Sequence, residues 1–341
     1  MKKLSIFDDH SLSARLRRRY NAIFDALYID VNRDYRASCL LAGSGRSGTT
    51  WAAELLNFDN FYRYVSEPFN RGHVSLCKNF ALRQYLRPDD DAPAFLEPAR
   101  AIFSGRVRND WTDSQNRRKV CTHRLIKDVR TTLMLKWIRN HFSGMPIAFM
   151  VRHPFAVAHS RVKLGWNTNL REMFLSQPEL MQDFLTPFRE AIKGAESAFL
   201  THVFDWCVEN YVPLIQLDHR DVHMVFYERL CTEPRTELAG LCAHFDRPFD
   251  ALALDAMNKP SSTTRPGRAH KQRLASTQEL VEGWRAHVEL DEIQRAVEIL
   301  HMFGLDEIYD GESMPKVENA LGILKPVSPR PSERFLRIAA G

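Results

Sequence analysis

A strand, a glycine-rich loop and a helix follow one another in residues 38–57, and this segment constrains the fold most strongly. Residues 38–43, SCLLAG, form a short apolar run typical of a buried strand, and residues 49–57 have the pattern of a helix. The loop between them reads GSGRSGTT. Its glycines allow backbone N–H groups to turn towards an anion, and the helix N-terminus adds further donors. The segment therefore predicts a phosphate-binding loop in an α/β protein.

The residues inside this loop favour phosphate binding over an ordinary glycine turn, which is the alternative. Gly43 and Gly48 have P-loop spacing, but Thr49 stands where ATP-binding loops carry their lysine. The loop contains one cation, Arg46, and its hydroxyl residues are Ser44, Ser47, Thr49 and Thr50. We therefore expect a phosphate compound to bind here without the lysine and magnesium of an ATPase.

A second anion site is predicted after the apolar run PIAFMV, residues 146–151. P-loop ATPases place a metal-binding acidic residue after such a strand, whereas this chain has Arg152. An arginine cannot bind magnesium, but it can bind a second phosphate. Pro154 suits the first turn of a following helix, and Ser160 lies about two turns into it. The alternative is an arginine paired with a carboxylate, next to an incidental serine.

Apolar runs alternate with helical segments along most of the chain, which predicts a parallel sheet wrapped by helices. The predicted strands are residues 38–43, 61–69, 119–128, 146–151 and 222–228, and helices are predicted over 130–142, 233–245 and 290–303. Residues 86–118 are predicted to be irregular. The expected fold class is α/β, with a P-loop-like parallel sheet of about five strands flanked by helices on both faces. Ligands bind at the carboxyl ends of the strands in such sheets.

Three regions are expected along the chain. Residues 1–36 are predicted to form an amphipathic helix packed on the body, with its RLRRR segment facing solvent. Contact of that segment with an anionic membrane or polymer is the alternative. Residues 37–310 are predicted to form the main domain. Residues 311–341, which contain LKPVSPRPSE, are predicted to be a weakly ordered tail.

Composition excludes several classes of function. The net charge of +5 fits an anionic ligand but does not require nucleic acid. The six cysteines and thirteen histidines show no metal-site spacing, so no metal is expected. Neither a secretory signal nor a run of about 18 apolar residues is visible, so no membrane span is expected. We expect a cytoplasmic protein with reduced thiols.

The two anion motifs, GSGRSGTTW and RHPFAVAHS, together resemble those of sulfotransferases that use 3′-phosphoadenosine 5′-phosphosulfate (PAPS). The resemblance extends over about residues 37–310. It implies that Arg152 and Ser160 bind the 3′-phosphate and that Trp51 stacks near the adenine. The residues implied to bind the 5′-phosphosulfate are Gly45, Arg46, Ser47, Gly48, Thr49 and Thr50.

Two later elements extend the resemblance. VFYERLCTEP, residues 225–234, is similar to the family's Y-E-D-L element and implies that Tyr227 faces the nucleotide. SSTTRPG, residues 261–267, is similar to the loop that closes over the adenosine phosphate, which implies contacts from Arg265 and Gly267. This late loop is the loosest of the matches.

Sulfuryl transfer needs a general base on one side of the sulfur and a fixed cation on the other. The resemblance implies that Arg46 and Lys127 are the cations, and that Val129 replaces the histidine base of small-molecule members. Carbohydrate-directed members place a glutamate before proline, which corresponds to Glu67 in VSEPFN. The alternative for Glu67 is a surface carboxylate at a turn, and the reserve bases are His73 and His123.

The leading hypothesis is a PAPS-dependent sulfotransferase that releases 3′-phosphoadenosine 5′-phosphate (PAP). Its acceptor would be a hydroxyl of a saccharide, a glycolipid or another small molecule. Two alternatives remain: a non-catalytic nucleotide-binding module of the same fold, and a magnesium-dependent nucleotide kinase. The kinase is disfavoured by the missing lysine and by Arg152 at the strand end.

Overall fold

The computed structural model describes residues 29–117, 120–257, 261–262 and 276–324. Residues 1–28 of the predicted N-terminal helix therefore lie outside the described residues, and its last positions form a short strand at Ile29–Asp30 and a 3-10 turn at Tyr35–Ala37 instead of an α-helix. Arg265 and Gly267 of the late loop also lie outside them, as do residues 325–341.

The centre of the protein is a five-stranded sheet in which all strands are parallel. Its strands have the spatial order β3-β5-β2-β6-β7. Two short strands, β1 and β4, pair separately in parallel. The strands in chain order are β1 Ile29–Asp30, β2 Ser38–Gly43, β3 Arg63–Ser66, β4 Val120–Cys121, β5 Arg124–Asp128, β6 Ile147–Val151 and β7 His223–Phe226. The predicted parallel sheet of about five strands is confirmed.

Helices connect the strands and cover the sheet. They are α1 Thr49–Leu56, α2 Pro93–Phe103, α3 Leu135–His141, α4 Pro154–Lys163, α5 Arg189–Lys193, α6 Ala198–Gln216, α7 Tyr227–Thr232, α8 Pro234–His244, α9 Leu252–Asp255, α10 Thr277–Glu282, α11 Leu290–Met302 and α12 Val317–Ile323. Residues 171–188 form a run of short π, α and 3-10 turns. No helix in the described ranges is long and apolar enough to cross a bilayer.

Strand β2 shows why the sheet is covered on both faces. All six of its residues are buried, as expected for a central strand of a parallel sheet. Leu40 and Ala42 belong to the larger apolar cluster, whereas Cys39 and Leu41 belong to the smaller one. Successive side chains of a strand point to opposite faces, so the two clusters lie on the two sides of the sheet.

Two further segments differ from their predictions. The region expected to be irregular, residues 86–118, contains the helix α2, whose apolar side packs into the larger cluster through Leu96, Ile102 and Phe103. The expected weakly ordered tail contains α12, and its residues Ala320 and Leu324 are buried in the same cluster. In both cases apolar residues at helical spacing outweigh the surrounding proline and charge.

Candidate active site

One cavity of about 510 Å³ opens at the carboxyl edge of the sheet. It receives residues from the ends of all five strands, as the parallel topology requires. The predicted site residues that line it are Gly45, Arg46, Gly48, Thr49, Thr50, Trp51, Glu67, Lys127, Arg152 and Tyr227. Ser47 is fully buried beneath the loop, where its hydroxyl donates to the Ser44 carbonyl at 2.6 Å.

The glycine loop is shaped by close packing. Gly48 has φ +94°, and a Cβ at this position would lie 2.6 Å from Cδ2 of Tyr227. Only glycine fits both the left-handed backbone and the nearby ring. Arg46 also has a positive φ, 80°. Since α1 begins directly after this turn, its first N–H groups lack partners within the helix.

The two predicted anion sites are joined. Arg46 Nε donates to the Ser160 hydroxyl at 3.1 Å, and Arg152 Nη1 donates to the Arg46 carbonyl at 3.2 Å. The Arg152 guanidinium lies 4.0 Å from the centre of the Tyr227 ring, and Tyr227 in turn contacts Trp51. Within the described residues, Nε of Arg152 is buried and has no hydrogen-bond partner. A buried donor without a partner is rare in folded proteins.

Glu67 follows β3 in a backbone conformation with φ 48°, and its N–H donates to the Lys127 carbonyl at 2.7 Å. Its carboxylate pairs with Lys127 Nζ at 2.7 Å and with Arg130 Nη1 at 2.5 Å. Burial alone would raise the pKa of Glu67, but the charges and hydrogen bonds of Lys127 and Arg130 lower that pKa to about 2. The carboxylate is therefore ionised and mostly buried.

The other predicted bases lie elsewhere. The His73 ring stacks on Trp111 with centroids 3.8 Å apart, and the His123 ring stacks on Phe61 at 5.3 Å. Both histidines are exposed, and neither belongs to the cavity lining, which does contain Val129. Glu67 is therefore the predicted base that the fold brings next to Lys127.

Arg130 is a site residue that sequence reasoning missed. The only signal was its position three residues after Lys127, just beyond the strand end. The buried Asp128 carboxylate accepts one backbone N–H from each of two turns. Oδ1 accepts from Arg130 N at 2.7 Å, and Oδ2 accepts from Phe69 N at 2.8 Å. Asp128 thus ties the turn after β3, which carries Glu67, to the turn after β5.

A buried network of charged side chains binds the backbone of the glycine loop. Sequence reasoning missed this network too. Arg161 donates to the Gly45 carbonyl from Nε at 3.1 Å and from Nη2 at 3.0 Å. The same guanidinium pairs with Asp205 and Glu209 at 2.7 Å each, and Glu209 also pairs with Arg83. The carboxylates come from α6 and the arginines from two other segments, so no local sequence pattern could reveal the network.

The outer wall of the cavity mixes apolar and polar side chains. Trp166 is 40% exposed and Leu82 is 43% exposed, and both line the cavity together with Asn167 and Thr168. The described residues contain no group of three or more His, Cys, Asp or Glu side chains arranged to hold a metal ion. All six cysteines are buried, and none of them forms a disulfide.

Comparison with protein-family profiles shows the family of the chain. A sequence profile described as "Sulfotransferase family" matches residues 39–251, more than half of the chain. No curated protein matches the chain.

Solved structures similar to the chain include three sulfotransferases. The sulfotransferase domain from the curacin biosynthetic pathway has 17% identity and a TM-score of 0.41, and the match covers 77% of this chain and 97% of that one. The sulfotransferase domain of the Synechococcus PCC 7002 olefin synthase has 14% identity and a TM-score of 0.40, covering 77% and 94%. Sulfotransferase STF1 from Mycobacterium tuberculosis H37Rv has 11% identity and a TM-score of 0.38, covering 79% and 81%.

Proposed function

Because the chain belongs to the sulfotransferase family, we propose that it moves the sulfuryl group of PAPS to an acceptor hydroxyl and releases PAP. The observation that carries the choice of donor is the pair of joined anion sites beside one cavity. Arg46 with its loop would hold the 5′-phosphosulfate end, and Arg152 with Ser160 would hold the 3′-phosphate. The adenosine would lie between these two anion sites, and the neighbouring Tyr227 and Trp51 rings would supply apolar surface for it.

The proposed reaction is an in-line displacement at sulfur. A bond forms between the acceptor oxygen and sulfur, and the bond from sulfur to the bridging oxygen of the 5′-phosphate breaks. Glu67 takes the proton of the acceptor hydroxyl as general base. Lys127 and Arg46 neutralise the charge that develops on the leaving oxygen, so the step needs no metal.

The pairing of Glu67 suggests an order of events. With both Lys127 and Arg130 bound, the carboxylate is ionised, but its lowered pKa makes it a weak base. When Lys127 turns to the leaving oxygen of the donor, Glu67 keeps one cation instead of two. The pKa of Glu67 then rises, because an opposite charge favours the ionised form and one of the two opposite charges has moved away. We infer that donor binding is what makes Glu67 competent to accept a proton.

For the acceptor we propose a saccharide or glycolipid hydroxyl. The exposed Trp166 offers an apolar face of the kind that sugar rings stack on, and Asn167 and Thr168 offer hydrogen bonds. We propose a cytoplasmic location because all six cysteines are buried thiols without disulfides. Membrane contact through the basic N-terminal segment concerns residues outside those described.

Arg152→Ala tests the donor assignment. The variant should bind PAP at least tenfold more weakly than the wild type, since a charge-assisted hydrogen bond contributes about 1.5–3 kcal/mol. Calorimetry with PAP gives the affinity, and PAP release from PAPS across a panel of glycans, glycolipids and phenols gives turnover. Arg100→Ala is the matched control, because Arg100 is exposed and pairs with Glu97 on the surface.

Unchanged PAP affinity in Arg152→Ala would show that the second anion site is misassigned. Tight PAP binding by the wild type without product from any acceptor would favour the non-catalytic nucleotide-binding module. Binding of magnesium–ATP in place of PAP would favour the kinase.

A further inference from the structure

Arg83 is a buried arginine that lines the cavity, and neither anion motif includes it. Its side chain is 6% exposed. Nε pairs with Glu209, and Nη1 donates to the Leu82 carbonyl at 3.4 Å. Among the described residues, Nη2 has no hydrogen-bond partner. Its N–H groups are therefore available to a molecule in the cavity.

The Nη2 atom of the Arg83 guanidinium is held close to the glycine loop. Nη2 lies 3.8 Å from where a Cβ on Gly45 would stand, so it borders the loop itself. One oxygen of Glu209 holds Arg83, and the other holds Arg161, which in turn binds the Gly45 carbonyl. A shared carboxylate thus connects the Arg83 guanidinium to the loop on which the donor is proposed to lie.

The backbone of Arg83 is fixed as well. Gln177 Nε2 donates to the Arg83 carbonyl at 2.7 Å, and Gln177 Oε1 accepts from Tyr85 N at 2.9 Å. The side-chain amide of Gln177 therefore braces the segment on both sides of the arginine. A donor group held in this way needs little reorganisation when charge appears next to it.

Charge balance explains why such an arginine is tolerated in the interior. The network contains two arginines, Arg83 and Arg161, and two carboxylates, Asp205 and Glu209. Burial would lower the pKa of Arg83, but the charges of Glu209 and Asp205 outweigh it and raise that pKa. Arg83 therefore stays protonated and presents oriented N–H groups to the cavity.

We propose that Arg83 is a further catalytic residue, which donates from Nη2 to an oxygen of the sulfuryl group in the bound donor and keeps this hydrogen bond during transfer. This inference rests on the proposed function, in which Arg46 and Lys127 serve the leaving oxygen and Arg152 serves the 3′-phosphate. The oxygens that stay on sulfur then need donors of their own, and Arg83 borders the loop at Gly45 in the same cavity as Glu67.

The test compares PAP with PAPS, because the two differ only in the sulfuryl group. Arg83→Met alone would leave the network one positive charge short, so the main variant is Arg83→Met combined with Glu209→Gln. Glu209→Gln alone separates the effect of the lost carboxylate from that of the lost guanidinium, and Arg100→Met, at an exposed surface position, is the matched control. Arg83→Lys is a second probe, which keeps the charge but lacks the forked guanidinium.

The double variant and Arg83→Lys should bind PAP within about twofold of the wild type but PAPS about tenfold or more weakly. Arg100→Met should keep the wild-type ratio of the two affinities, and Glu209→Gln should weaken PAPS binding less than the double variant does, because the Arg83 guanidinium is still present. If Arg83→Lys or a folded double variant kept the wild-type ratio of PAP to PAPS affinity, the assignment would be overturned. A rise in the acceptor KM alone would not rescue it. If the wild type bound neither nucleotide, the proposed function would fail first, and this inference with it.

Discussion

The carboxylate of Glu67 shows how strongly its neighbours set the chemistry of a single residue. Lys127 and Arg130 hold one oxygen each, at 2.7 and 2.5 Å. A glutamate at an ordinary turn would titrate near pH 4.3, whereas the pKa of this one is lowered to about 2. A base acts only when deprotonated, so activity that depends on Glu67 falls when the pH drops through its pKa.

Arg130→Met should therefore move the acid limb of the pH–rate profile to higher pH. Loss of one cation raises the pKa of Glu67, since less positive charge nearby favours the protonated form of the carboxyl group. PAP release from PAPS, measured between about pH 4 and 8, gives the profile. Glu67→Gln is the control: it has no carboxylate to titrate and should turn over about 10²–10⁴-fold more slowly. An unshifted limb in Arg130→Met would argue against Glu67 as the base.

Among the elements, the ends of the strands have the largest effect on the site, because they set the positions of its residues. The turn after β3 carries Glu67, and the turn after β5 carries Arg130. The buried Asp128 accepts one backbone N–H from each of these turns. Asp128 therefore fixes the turn that carries Glu67 relative to the turn that carries Arg130.

Asp128→Asn should lower the free energy of unfolding by about 1–3 kcal/mol, because the amide NH₂ cannot accept one of the two buried N–H groups. PAP binding should be retained, since the glycine loop and Arg152 lie on other elements, while turnover falls. Urea unfolding and PAP calorimetry measure the two effects. Glu97→Gln, at an exposed site on α2, should change neither quantity. Wild-type turnover in Asp128→Asn would show that the bridge is dispensable.

The sequence predicted elements well where their pattern is local. The apolar runs at 38–43 and 146–151 became β2 and β6, and the glycine loop between β2 and α1 was predicted from its own residues. Both anion motifs reached the same cavity, because parallel strands end at one edge of a sheet. The helix α2 was missed, since its proline and charged residues masked an apolar face.

The rest of the site could not be predicted, because it depends on partners far apart in the chain. Arg83 meets Glu209 across 126 residues, and Arg161 meets Asp205 across 44. Each of these residues looks like an ordinary surface charge when the sequence is read alone. Only the fold shows that they balance one another beneath the glycine loop.

At the scale of the whole molecule, His153 ties the end of β6 to a late segment of the chain. Its Nε2 bonds the Glu312 carbonyl at 2.9 Å, and its ring stacks on Trp284 at 4.6 Å. Its backbone N–H donates to Glu228, which also accepts from the Tyr309 hydroxyl at 2.8 Å. Burial lowers the pKa of His153 to about 3, so the ring is neutral in the folded protein.

Stability should therefore fall with acidification below pH 6.5. The unfolded chain binds a proton at this histidine near pH 6.5, whereas the folded protein does so only near pH 3. Between pH 7 and pH 5 this linkage removes about 2 kcal/mol of the free energy of unfolding. In His153→Gln that share of the pH dependence should be absent. Urea unfolding of both proteins at the two pH values measures it, and equal losses would mean that the ring is protonated when folded.

The contact between Arg46 and Ser160 has a consequence for selectivity among cellular nucleotides. Arg46, the cation of one proposed anion site, donates to the hydroxyl of Ser160 in the other. A nucleotide with only one of the two phosphates would disturb this contact and leave one member uncompensated, whereas PAPS would replace both partners. We therefore expect the protein to discriminate against abundant adenine nucleotides that lack a 3′-phosphate, because each of the two anion sites depends on the occupancy of the other.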